Sequence, residues 1–99
     1  MPKRKTKITQ ISDEHLRRLR NEIPIFDLIR LHLDLTACVQ EGYLRFLCPL
    51  CNDFYTATNP RTNLARCFRC EKNFNAIDLV MIVRQCPFLE AVAFLEKLL

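Results

Sequence analysis

At 99 residues, 49% of them apolar and 26% charged, the chain has material for one modest globular core and little room for a large catalytic apparatus. No apolar run approaches the roughly 20 residues that span a bilayer, and the basic start MPKRKTKITQ lacks the apolar stretch of a secretory signal. The net charge of +4 sits at the start, since residues 1–20 carry seven basic side chains against Asp13 and Glu14, leaving the remainder near neutral. A reducing cytoplasm is therefore expected, where paired cysteines bind metal or catalyse more often than they form disulfides. With six cysteines a disulfide framework stays open at this point.

Ser12 before Asp13 and Glu14 reads as an N-cap with acids in the first turn, opening a short basic helix over 13–21. Pro24 suits the first turn of a second helix over about 24–31, where Ile25, Leu28, Ile29 and His32 share a face. Leu31, Leu33 and Leu35 then alternate with His32 and Asp34, predicting extended chain before Gly42, the single glycine. YLRFL (43–47), FYTAT (54–58) and NLARC (63–67) read as three short antiparallel strands, with Asn59-Pro60 starting a turn. Asn75 predicts a cap, with Asp78 completing a capping-box variant over AIDLVMIVRQ, and Pro87 opens a last helix. Both terminal helices are expected to lie on the sheet, the first through Ile77, Val80, Met81 and Arg84, the second through Leu89, Val92 and Ala93 with Leu95 or Glu96. Phe46, Phe54 and Phe68 are expected in the core.

Cys48, Cys51, Cys67 and Cys70 form C-x2-C-x15-C-x2-C, the spacing of a structural zinc site. Two intervening residues let a tight turn aim both sulfurs at one ion, and fifteen allow an out-and-back hairpin to bring the second turn beside the first. Four thiolates leave no coordination position for water, so the one Zn²⁺ is structural and not hydrolytic. Iron, disulfides and redox chemistry are the alternatives; the last needs one pair beside a βαβ pattern, which is absent. Cys38 and Cys86 lack ligand spacing and read as free thiols, and His15 and His32 are single. Asp34, Glu41, Asp53, Glu71, Asp78, Glu90 and Glu96 are scattered without the paired carboxylates that two-metal phosphoryl chemistry requires, so no catalytic residue is expected.

IFDLIRLHLDL (25–35), CPLC (48–51), CFRC (67–70), NAIDLVM (75–81) and FLEAVAFL (88–95) resemble, in order and spacing, the N-terminal zinc-binding domain of bacterial DnaG-type DNA primases, the CHC2 zinc finger. The resemblance covers about residues 23–99. It departs at Cys51, where the family usually has His, and at Arg69 and EKNFN (71–75), where the family has glycines; Asn73 or Asn75 is expected to supply the positive φ instead. With the element order read above, the expected fold class is α+β, a zinc ribbon whose small antiparallel sheet is packed by flanking α-helices. The charge distribution divides the chain into a basic flexible tail (1–11) and one domain (12–99) with its ribbon core at about 43–74.

The resemblance implies a module that reads single-stranded DNA template for RNA primer initiation, working with a catalytic primase domain or subunit, with a helicase as a further candidate partner and no membrane. Tyr43, Arg45, Tyr55, Arg61, Arg66, Arg69 and Lys72 are the candidate nucleic-acid contacts, combining cations for phosphates with aromatic faces for bases. The alternative is a zinc ribbon that docks a replication or mobile-element protein; its sign would be an exposed apolar stripe on the last two helices with buried ribbon aromatics. A transcription-type ribbon accounts for the cysteines but not for NAIDLVM and the flanking helices.

Overall fold

The computed structural model describes residues 11–99. The expected tail lies outside that range except for Ile11, which is half-buried against the core. Helix α1 (Asp13–Asn21) starts where the Ser12 side chain accepts the His15 N–H. Helix α2 begins as Ile25–Asp27 and continues through Leu28–His32 in the wider π form, closing with Leu33 N–H on the Leu28 carbonyl at 2.9 Å. That extra residue per turn buries Ile25, Leu28, Ile29 and Leu33 together and leaves Leu31 and His32 exposed. The expected extended run over 31–35 is therefore wrong: Asp34, at φ 58, ends the helix, and extended chain begins only at Ala37.

Five strands follow. β1 (Ala37–Gln40) and β2 (Tyr43–Phe46) form a hairpin closed by Glu41 and Gly42, both at positive φ as a two-residue turn demands. β3 (Thr56–Asn59), β4 (Leu64–Cys67) and β5 (Lys72–Phe74) form a three-stranded antiparallel sheet in sequence order. The two sheets meet between β2 and β3, where Thr56 makes the central link. The Thr56 hydroxyl accepts the Phe46 N–H at 2.8 Å and donates to the Phe46 carbonyl at 2.6 Å, replacing the ladder that β2 and β3 do not form.

Helix α3 (Ala76–Arg84) carries the complete Asn75/Asp78 capping box and touches β5; α4 (Phe88–Glu96) follows Pro87. Contrary to expectation, α4 packs mainly on α3 and α1, not on the sheet. Its buried residues are Ala91, Val92 and Leu95, whereas Leu89 and Ala93 face solvent. His15 Nε2 meets Glu96 Oε2 at 2.7 Å, joining the first and last helices.

Asn63 fastens the β3–β4 turn to the helices. Its side chain accepts the Ile25 N–H at 2.8 Å and donates to the carbonyls of Arg20 at 2.6 Å and Ile23 at 2.8 Å, satisfying the end of α1 and the start of α2. No helix among the described residues is long and apolar enough to cross a membrane.

Candidate metal centre and adjoining sheet face

Two cysteine turns come together at one end of the ribbon. The first runs from Cys48, buried at the end of β2, to Cys51; the second leaves β4 at buried Cys67 and reaches Cys70. Each is tightened by an N–H donated to its leading sulfur: Leu50 to Cys48 Sγ at 3.4 Å, Cys70 to Cys67 Sγ at 3.3 Å. Asp53 beside the first turn meets Arg69 of the second at 3.3 Å. The residue after each trailing cysteine has positive φ, Asn52 at 61 and Glu71 at 57. Neither Asn73 nor Asn75 takes that role, because Asn73 is in β5 and Asn75 is an extended N-cap at φ −89.

All four sulfurs lie within 4.8 Å of one another. Cys48 and Cys70 are 3.9 Å apart and Cys51 and Cys67 3.6 Å. A tetrahedron with zinc–sulfur bonds of about 2.3 Å has edges of about 3.8 Å, so the donor set fits one Zn²⁺ in type, number and spacing.

Protons are held unequally among these thiols. Burial works to raise Cys67, but the Cys70 N–H and the neighbouring thiols overcome it and hold the pKa down at about 7. Burial, then the surrounding thiols, pushes Cys70 up to about 12 and also raises Cys51. A bound dication must draw those protons off, after which four thiolates hold the ion in a centre of net charge about −2 that cross-links the two turns.

The family model of the CHC2 zinc finger, the DnaG-type zinc ribbon, matches residues 11–99. The chain belongs to the CHC2 zinc finger family. No curated protein matches it. In this CHC2 zinc finger Cys51 stands where the resemblance expects His, and its sulfur closes the cluster as well as an imidazole nitrogen would, with one more negative charge. The expectation of one zinc ion is borne out.

Strand alternation gives the sheet a buried and an open face. Leu44, Phe46, Thr56, Thr58, Ala65 and Phe74 point inward. Tyr43, Arg45, Ala57 and Arg66 point outward, and Tyr55 and Phe68 flank them. Phe46 is core as expected, but Phe54 and Phe68 are not, being 38% and 40% exposed because both lie beyond the strand ends, outside the sheet's packing. Tyr43, Arg45, Tyr55, Ala57 and Phe68 line one shallow hollow, and Tyr43, Arg61, Arg66 and Phe68 contribute to the next. Arg66 lies 5.4 Å from the Phe68 ring centre and donates to Asn73 Oδ1 at 3.2 Å. Arg69 is turned to Asp53, and Lys72 borders a separate hollow against α3, so these two stand apart from the other five candidates. Phe68, now part of the open face, was hidden by its place between ligands, where an aromatic reads as packing. Cys38 is exposed on β1, and Cys86 is half-buried beyond α3.

Proposed function

We propose that this CHC2 zinc finger reads single-stranded DNA template for a DNA primase, with primer synthesis carried by a separate catalytic domain or subunit. What carries the reading is the open sheet face: three exposed aromatic rings, Tyr43, Tyr55 and Phe68, interleaved with Arg45, Arg61 and Arg66. Stacking rings and phosphate-seeking cations are the two parts of a single-strand binder. The zinc site fixes the ends of β2 and β4 and thereby sets the spacing of those side chains. Family membership points the same way, and the dispersed acids give this chain no means of holding the metal pair that polymerisation needs.

The protein-docking alternative needs the ribbon aromatics buried, and Tyr43 at 54% and Tyr55 at 59% exposure argue against it. Fluorescence anisotropy of labelled oligothymidine with zinc-loaded protein tests the reading. Tyr55→Ala should weaken binding about 5- to 150-fold, the span of one lost base stack, and Arg66→Ala should weaken it and flatten its salt dependence, while removal of residues 1–10 should cost less. Binding that depends on the tail alone, or none at low salt, overturns it.

A further inference from the structure

Arg45 is held in an unusual way for a surface cation. Its Nη1 donates to the Thr56 carbonyl at 3.2 Å, which fixes the guanidinium plane at the seam between the two sheets. Its Nε is shielded from solvent and has no hydrogen-bond partner. An N–H in that position costs stability unless something accepts it. Arg45 lines a hollow together with Tyr43, Tyr55, Ala57 and Phe68, and the Tyr55 and Phe68 rings lean together with centres 5.3 Å apart at 45°.

We propose that this cage takes a single unstacked guanine, stacked on the rings and read by Arg45. The inference rests on the single-strand reading above and names the base it prefers. Aromatic walls favour a flat ring over a phosphate. With Nη1 engaged, the Nε edge of the guanidinium carries two parallel N–H donors, which match the adjacent O6 and N7 acceptors of guanine. Adenine places its N6 amino donor beside N7, against the guanidinium donors. Cytosine sets O2 and N3 side by side on one ring and covers less of a three-ring cage. Tyr43 and Tyr55 are exposed enough to swing about their side-chain bonds without disturbing the core, so the cage opens to admit the base to the shielded Nε and then closes over it.

The test uses zinc-loaded full-length chain and a labelled fifteen-nucleotide oligothymidine carrying one central dG, dA, dC, deoxyinosine or 7-deaza-dG. The dG and deoxyinosine oligonucleotides, which keep O6 and N7, should bind about tenfold tighter than plain oligothymidine. The 7-deaza-dG oligonucleotide, lacking the N7 acceptor, should lose most of that gain. In Arg45→Gln, checked for full zinc content, the ratio of dG to plain affinity should fall towards one. Equal binding of all oligonucleotides, a preference for dA or dC, or a dG preference that survives both 7-deaza substitution and Arg45→Gln overturns the guanine cage while leaving single-strand binding intact. Failure of every oligonucleotide to bind overturns the single-strand reading itself, and the cage with it.

Discussion

The two cysteine turns are built to one pattern from different residues. In each the leading cysteine is buried and receives an N–H at its sulfur, the trailing cysteine is half-buried, and the next residue is left-handed. The first uses Pro49 and Leu50 between its ligands and Asn52 after them; the second uses Phe68 and Arg69, then Glu71. Geometry around one ion dictates the backbone, and side chains are free to differ so long as they tolerate it. Asn tolerates the left-handed region through local hydrogen bonding, whereas Glu has no such compensation. The second turn is thus the more strained half of a symmetrical device, and it also carries Phe68 into the open sheet face.

If the turns are equivalent as cross-links, losing either should undo the ribbon. Structural zinc contributes roughly 10 to 16 kcal/mol in small modules, against about 5 to 15 kcal/mol for the whole stability of a domain. Cys48→Ser and Cys67→Ser should therefore each abolish the cooperative thermal transition, as should a strong chelator, followed by circular dichroism. A large loss from one and not the other would break the symmetry. Binding should also release protons, at least two of them at pH 7, because Cys70 sits near 12 and Cys51 is raised. Falling pH keeps those protons on sulfur, so zinc affinity should drop steeply with acidification, and calorimetry in buffers of different ionisation enthalpy counts the protons.

Asn63 sharpens the comparison because it is left-handed too, at φ 56, yet its side chain is buried and fully used. Asn63→Ala leaves the Ile25 N–H and the carbonyls of Arg20 and Ile23 without their partner and adds backbone strain. A loss of about 2 to 4 kcal/mol in chemical denaturation is expected, with zinc still bound. A loss under about 0.5 kcal/mol would mean that water replaces the side chain.

The parts readable in the sequence are those whose signals are local. Ser12, Asn75 with Asp78, Pro24 and Pro87 mark helix starts where the structure has them, and the cysteine spacing identifies the metal site. What escaped depends on distant partners. β1 has no alternation of its own, being half-buried at Ala37 and exposed through Gln40, although Glu41-Gly42 before an aromatic strand was a hairpin signal. β5 is a three-residue stretch with two polar residues before Phe74, too short to show alternation and made a strand by pairing with β4. Asn63 looks like any turn residue until α1 and α2 arrive above it, and Arg45 like any surface cation until Thr56 takes one of its donors.

The smallest effect is the most specific to the difference between the turns. Glu71→Gly removes a Cβ from a left-handed residue and should stabilise the zinc-loaded protein, by about 1 kcal/mol once the greater freedom of glycine in the unfolded chain is subtracted. Asn52→Gly has less strain to relieve, since Asn already accommodates that conformation, and should change stability by no more than about 0.5 kcal/mol. Neither residue ligates the ion, and Glu71 is exposed, so zinc stoichiometry should be unaltered and the comparison reads backbone strain alone. Equal gains at both positions would show that Asn52 is as strained as Glu71. A loss at Glu71→Gly would mean that its carboxylate, beside the cationic Lys72, contributes more than its backbone costs. In that event Glu71→Gln, which keeps the Cβ and drops the charge, should reproduce the loss.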